Sequence, residues 1–212
     1  MEKGNWSEIK VQLHNTLKEI FCNYDFHKLN DYEKRKIIFE YLCNNISYDY
    51  ELFNNIKNFH EGKGPVARNS LLELSNVINN KVGICNAISQ YYKFLLEEVG
   101  ISAYCVICDD GTLVKHQLNL VYDEENKTYS FDDVTSVIVG RGNIEDYFDY
   151  NLEKANFFNQ GNVEVTKGKL WFILPEDYIN YFVGRENTFV KTLEKMPNNI
   201  VSVKPRSGTS RF

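Results

Sequence analysis

The spacing of apolar residues changes at Gly100, and this change limits the folds open to the chain more than any other feature. Before Gly100, apolar residues recur at steps of three and four and predict one helical stripe: Ile84, Ile88, Tyr91, Leu95 and Val99. After Gly100, residues 101–108, 114–122 and 128–134 are short β-prone segments with polar turns between them. A helix followed by an antiparallel meander predicts an α+β fold.

The region before this helix predicts further helices. Residues 7–22 form an amphipathic pattern, and a second helical pattern begins after Asp31. Residues 54–69 contain several closely spaced glycine and proline residues, which predict a loop. Residues 70–78 predict a short helix that leads towards the stripe.

The length of 212 residues suits one domain with a full hydrophobic core. We expect the core at about residues 35–138, a C-terminal extension at 139–203 and a flexible tail at 204–212. Within the extension, residues 144–158 predict a helix and residues 170–174 a strand.

Cys85 lies where a nucleophile gains reactivity from a helix. Gly83 interrupts the chain just before it, so Cys85 falls in the first turn of the predicted helix. There the free backbone N–H groups and the positive end of the helix dipole favour a thiolate over a thiol. The alternative is a buried structural cysteine, which is the commoner use of a single cysteine at such a position.

Strand alternation brings a histidine and an aspartate to the same side of the predicted sheet. In the second strand, His116 shares the apolar face with Leu118, while Gln117 lies on the opposite face. An imidazole on an apolar face is costly unless it is hydrogen-bonded. In the third strand the parity of the aromatic residues gives Asp133 the same face, and a bulge would give it to Asp132 instead. If the helix packs on this face, the cysteine, the histidine and the aspartate converge.

The ordered motifs around these residues resemble the transglutaminase-like cysteine peptidase and amidase superfamily. The matching segments, in chain order, are Ile46-Ser47-Tyr48-Asp49, Gly83-Ile84-Cys85, Leu95-Leu96, Gly100-Ile101, His116-Gln117-Leu118-Asn119 and Asp133-Val134-Thr135. The resemblance implies a papain-like or transglutaminase-like core, in which the helix with the nucleophile packs on an antiparallel sheet behind N-terminal helices. The chain departs from the family at Leu118 and Ser136, where tryptophan is frequent, and at Asn86-Ala87, where a second glycine is frequent.

The resemblance also implies a mechanism. Cys85 would attack a peptide or glutamine carboxamide carbonyl to form a thioester, His116 would transfer the proton, and Asp133 would orient the imidazole. The Cys85 N–H and a second donor would hold the oxyanion, and Asn69 and Asn86 are the candidates for that donor. Hydrolysis, as in a peptidase or an amidase, is expected ahead of protein cross-linking. The alternative is a catalytically inactive module of the same fold that binds a peptide or a protein.

Composition argues against nucleic-acid and membrane partners, and the resemblance implies a peptide or protein substrate. The net charge of −5 is unlike that of a general nucleic-acid binder. No apolar run approaches the roughly 18 residues of a membrane helix, and the N-terminus lacks a signal-peptide pattern. Five scattered cysteines predict reduced thiols and a cytoplasmic location, although a secreted mature form stays open. No metal or other cofactor is expected, since a calcium-loop pattern is missing and Cys105 and Cys108 read as core thiols.

Overall fold

The structure is a computed structural model that describes residues 3–64, 70–108, 116–126, 128–150 and 170–173. Its helices are α1 Lys3–Ile20, α2 Asp31–Asn45, α3 Tyr50–His60, α4 Ser70–Asn80, α5 Cys85–Glu98, α6 Val134–Ile138 and α7 Ile144–Tyr147, with a 3-10 turn at Phe26–Lys28. Its strands are β1 Ser47–Tyr48, β2 Val82–Gly83, β3 Ala103–Cys108, β4 His116–Asp123, β5 Thr128–Asp132 and β6 Leu170–Ile173.

The four longer strands form one antiparallel sheet in the order β5-β4-β3-β6. Within it, Leu120 pairs with Phe131 and Asn119 with Asp132, so the apolar residues of the two strands share one face, as the alternation of the sequence predicts. The short strands β1 and β2 form a separate parallel pair. The α+β fold, with helices packed on an antiparallel sheet, is therefore confirmed.

Helix α5 is the central helix of the core. Most of its residues are buried, including both tyrosines, Tyr91 and Tyr92. A helix that is buried on nearly every side needs packing elements all round, and here α1, α2, α4 and the sheet supply them. The helix ends where the sequence predicts, because Gly100 adopts a φ of +87° and Ile101 N–H donates to the Leu96 carbonyl at 2.9 Å.

Two predicted boundaries are wrong. Residues 54–60 of the predicted loop belong to helix α3, because the Asp49 carboxylate accepts a hydrogen bond from Leu52 N–H at 2.8 Å and so caps the helix, while Ile56 is buried beneath it. The third strand ends at Asp132 and not at residue 134. The Asp133 side chain caps helix α6, and this cap stops the strand.

The face of β4 opposite His116 is also buried. Gln117 and Asn119 are buried against α5, where Gln117 Nε2 donates to Ser89 Oγ at 2.7 Å and Asn119 Nδ2 donates to the Ser89 carbonyl at 2.9 Å. The helix therefore packs on the amide face of β4. Hydrogen bonds to the helix offset the cost of burying these amides.

The C-terminal extension is described in part. Strand β6 occupies the predicted position and pairs with β3, with Val106 opposite Phe172. The predicted helix over residues 144–158 is wrong beyond Tyr147, where α7 ends, because Tyr150 pairs with Phe131 in an isolated antiparallel bridge. Residues 151–169 and the tail lie outside the described residues. Among the helices of the described part of the chain, none is both long and apolar enough to cross a membrane.

Candidate active site

The segment before Cys85 is fixed by the pairing of β1 with β2. Ser47 N–H donates to the Lys81 carbonyl at 2.8 Å, and Asp49 N–H donates to the Gly83 carbonyl at 2.9 Å. Gly83 cannot carry a side chain without displacement, because a Cβ there would lie 3.2 Å from the Val77 side chain. The glycine in the Gly-Ile-Cys motif thus has a packing reason, and the cysteine follows from a fixed point.

Cys85 is the first residue of α5. The preceding residue, Ile84, is the N-cap and offers no side-chain hydrogen bond to the helix. The N–H groups of the first turn therefore face the thiol region without a capping side chain, and they favour negative charge there. Cys85 is 7% exposed, so most of the residue is shielded from solvent.

His116 and Asp133 form a buried pair. The distance between His116 Nε2 and Asp133 Oδ2 is 2.8 Å, and the two residues are 9% and 1% exposed. Asp133 is itself held by Ser136, whose N–H donates to Oδ1 at 3.0 Å and whose hydroxyl donates to Oδ2 at 2.7 Å. These bonds fix the carboxylate. The serine at position 136 thus gives Asp133 a side-chain donor in addition to the backbone N–H.

His116 is the neighbour whose hydrogen bonding and charge lower the pKa of the Cys85 thiol. Because Nε2 of the imidazole is hydrogen-bonded to Asp133, Nδ1 is the ring nitrogen left to interact with the sulfur. The two residues meet at the ends of their elements, because Cys85 begins α5 and His116 begins β4. The structure thus brings together the three residues that the sequence singled out, although α5 packs on the opposite face of β4 from the one that the prediction used.

Burial and the neighbouring charges shift the titration of all three groups. Burial alone would raise the pKa of the Cys85 thiol, but the hydrogen bond and charge of His116 and the Gln117 backbone N–H lower it. Burial alone would lower the pKa of His116, but Asp133 and the Cys85 sulfur raise it to about 10. The pKa of Asp133 is lowered, because the charge and hydrogen bond of His116 and the Ser136 donors overcome burial. The arrangement favours a thiolate beside an imidazolium.

Asp132, the alternative to Asp133, has different partners. Its carboxylate is fully buried and bonded to Arg35 Nε and Nη2, both at 2.6 Å, and to the Tyr92 hydroxyl at 2.7 Å. It therefore lies on the side of β5 that faces α2 and α5. The imidazole of His116 is bonded to its neighbour, Asp133, instead.

The two candidates for the second oxyanion donor, Asn69 and Asn86, stay predictions. Asn69 lies outside the described residues. The Asn86 side chain is tied along the helix, where its Oδ1 accepts a hydrogen bond from Gln90 Nε2 at 3.0 Å.

Tyr48 is the site residue that the sequence reasoning missed. It lies opposite Gly83 in the β1–β2 pair, and its pKa is raised first by burial and then by the charge of Cys85. Its ring contacts Tyr50 and Phe53, with centroids 5.0 and 5.9 Å away. The Ile-Ser-Tyr-Asp motif contained the signal, but the pairing that brings it to Cys85 joins segments 35 residues apart and was not predictable.

Within the described residues, no group of three or more histidine, cysteine, aspartate or glutamate side chains could hold a metal ion. Cys105 is a buried free thiol, and burial raises its pKa to about 12. The side chain of Cys108 lies outside the described residues.

Comparison with known structures agrees with the architecture. The chain is similar to a crystal structure described as that of a TGase, with 17% sequence identity, a TM-score of 0.54 and coverage of 96% of this chain and 53% of that one. It thus spans about half the length of that protein. A proposed cysteine protease from Cytophaga hutchinsonii is also similar, at 14% identity and a TM-score of 0.40, with coverage of 62% of this chain and 40% of that one. No protein-family model and no curated protein matches the chain.

The architecture and the first of these likenesses define the class of fold. A helix that begins at a cysteine, packed on an antiparallel sheet behind N-terminal helices, is a transglutaminase-like fold.

Proposed function

We propose that the protein is a cysteine hydrolase that cleaves peptide or glutamine carboxamide bonds through a thioester on Cys85. The observation that carries this proposal is the buried pair of His116 Nε2 and Asp133 Oδ2 at 2.8 Å, whose imidazole lowers the pKa of the Cys85 thiol at the start of α5. A cysteine, a base and a group that orients the base are the parts that covalent acyl transfer requires.

The proposed reaction has two halves. The Cys85 thiolate adds to the carbonyl carbon, and the C–N bond breaks as His116 gives the Nδ1 proton to the leaving amine or ammonia. Water then adds to the thioester while His116 takes a proton from it, and the Cys85 thiolate leaves as the carboxylic acid forms. Asp133 keeps the imidazole oriented in both halves and stabilises its positive charge. An amine in place of water would give transamidation by the same steps.

Tyr48 is proposed as the second oxyanion donor, beside the Cys85 backbone N–H. Its raised pKa keeps the phenol protonated at neutral pH, so its hydroxyl can donate a hydrogen bond. Its position opposite Gly83 and the effect of the Cys85 charge on its pKa support a donor on the thiol side of the site.

We expect Tyr48→Phe to lower kcat by about 10²- to 10³-fold with little change in KM, because an oxyanion donor acts mainly in the transition state. Tyr50→Phe is the matched control, since it also removes a hydroxyl from a tyrosine of the same aromatic cluster, and Tyr50 is 58% exposed. Steady-state kinetics of both variants check the prediction. Equal effects of the two substitutions would assign the loss to the aromatic cluster in general and not to the Tyr48 donor.

The function itself is tested with three assays on the same protein. Peptide cleavage, ammonia release from glutaminyl peptides and incorporation of a primary amine report the peptidase, amidase and transamidation outcomes. Acid quenching followed by mass spectrometry would trap the acyl group on the Cys85 peptide. An acyl adduct on a residue other than Cys85, or turnover that does not depend on Cys85, would overturn the proposal.

The binding module is the second candidate, and the burial of Cys85 favours it. Such a module would bind peptides with the same affinity in the Cys85→Ala variant and would give no product in any of the three assays. The lowered pKa of Cys85 favours the enzyme, because a binding groove gains nothing from a thiolate.

A further inference from the structure

The carboxylate of Asp132 is the centre of a buried polar cluster beside the candidate site. Arg35 binds both of its oxygens in a bidentate pair, at 2.6 Å from Nε to Oδ2 and 2.6 Å from Nη2 to Oδ1. The Tyr92 hydroxyl donates to Oδ2 at 2.7 Å, and Asp149 N–H donates to Oδ1 at 2.9 Å. Each oxygen thus receives two hydrogen bonds, which leaves the anion fully solvated by the protein.

The members of this cluster come from the elements that carry the three site residues. Tyr92 follows Cys85 by seven residues in α5, which is two helical turns and therefore the same face of the helix. Asp132 directly precedes Asp133, the partner of His116. One hydrogen bond, from Tyr92 to Asp132, consequently connects the helix of the nucleophile to the strand end of the aspartate.

Other contacts complete the frame. Arg35 lies in α2, its Nη1 also donates to Asp149 at 3.0 Å, and its guanidinium stacks over the Phe148 ring at 4.9 Å. Asp133 N–H donates to the Tyr147 carbonyl at 2.9 Å, in the segment that Arg35 and Asp132 hold. The backbone on both sides of Asp133 is thereby fixed, by the cluster before it and by residues 147–149 after it.

We propose that Asp132, Arg35 and Tyr92 are positioning residues that set the distance between α5 and Asp133, and so the alignment of Cys85, His116 and Asp133. The catalytic consequence rests on the proposed function, whereas the alignment of the His116–Asp133 pair does not. A bidentate ion pair fixes both a distance and an angle, which apolar packing of the same volume does less strictly.

Tyr92→Phe tests the proposal, with Tyr91→Phe as the matched control. Both tyrosines are fully buried in α5, and each substitution removes one short and one long hydrogen bond of a hydroxyl. Tyr92 loses those to Asp132 at 2.7 Å and to the Arg35 carbonyl at 3.4 Å, and Tyr91 loses those to Thr16 Oγ1 of α1 at 2.8 Å and to Lys81 Nζ at 3.4 Å. Similar losses of thermal stability are therefore expected from the two. A readout that differs between them reports the cluster and not stability.

The first readout is the titration of His116 by NMR, well below the unfolding temperature, with the resonance assigned by its absence in His116→Ala. We expect the pKa of His116 to stay near 10 in the parent and in Tyr91→Phe and to fall towards its ordinary value in Tyr92→Phe, since a displaced Asp133 no longer favours the imidazolium. The second readout is turnover, with kcat expected to fall about 10- to 100-fold in Tyr92→Phe at nearly constant KM.

The outcomes separate this inference from the proposed function. A lower pKa of His116 in Tyr92→Phe, together with no turnover by the parent, supports the positioning cluster and contradicts the proposed enzymatic function. An active parent whose Tyr92→Phe variant matches Tyr91→Phe in both readouts overturns the positioning cluster and leaves the enzyme in place. A parent in which His116 titrates at its ordinary pKa contradicts both.

Discussion

Cys85→Ala is expected to abolish turnover, with a loss of at least about 10³-fold in kcat, because no other group in the proposed mechanism forms the thioester. The substitution removes one sulfur from a site that keeps the His116–Asp133 pair at 2.8 Å. The variant should therefore fold and bind substrate much as the parent does. Steady-state turnover and circular dichroism of the variant test the two halves of this expectation.

Cys105→Ala is the matched control for that loss. Cys105 is also a buried free thiol, but burial raises its pKa to about 12, whereas the pKa of Cys85 is lowered. The control is expected to keep kcat within about twofold of the parent, since it removes an uncharged sulfur in β3 that takes no part in the proposed mechanism. Turnover that survives in Cys85→Ala would assign the chemistry to another residue.

Arg35→Met is expected to reduce the free energy of unfolding by about 3–5 kcal/mol, because it leaves the Asp132 carboxylate buried without its cation. Burial alone would lower the pKa of the Arg35 guanidinium, yet the charge and hydrogen bonds of Asp132 raise it. Arg35 is therefore charged and neutralises the Asp132 carboxylate. Urea unfolding followed by circular dichroism measures the loss.

Two further variants isolate the cause. Lys36→Met removes the neighbouring cation, which is exposed and lies 3.9 Å from Glu40, and is expected to change stability by less than about 1 kcal/mol. Adding Asp132→Asn to Arg35→Met removes the unpaired charge and is expected to recover part of the loss. A loss from Lys36→Met as large as that from Arg35→Met would contradict the buried-charge explanation.

Local patterns were sufficient for much of the fold. The helical stripe from Ile84 and the stop at Gly100 define α5. The alternation of residues along the strands puts Leu120 and Phe131 on the same side of the sheet, where they pair. The same parity put His116 and Asp133 on one side of the sheet, and the structure has them hydrogen-bonded. These features depend on neighbours within a few residues, which a sequence displays directly.

The features that the sequence did not reveal depend on distant partners. Asp132 is paired with Arg35, 97 residues away, so its role was invisible in the Asp132-Asp133 dipeptide. Tyr48 reaches the site through a two-residue parallel pairing, too short to leave a pattern. Gln117 is polar but buried, because it donates a hydrogen bond to Ser89, which is 28 residues away in the chain.

The activation of Cys85 by His116 is the central claim, and the pH dependence of alkylation tests it most directly. Iodoacetamide labelling of the parent and of His116→Ala would be followed over pH by mass spectrometry, with the exposed Cys22 as the internal reference. Only the thiolate reacts, so a lowered pKa keeps Cys85 reactive below the pH at which ordinary thiols lose their charge. We expect selective labelling of Cys85 in the parent, with an apparent pKa well below that of a free thiol, and loss of both in His116→Ala. Labelling of Cys85 in the parent with the pH dependence of an ordinary thiol, unchanged in His116→Ala, would contradict the account.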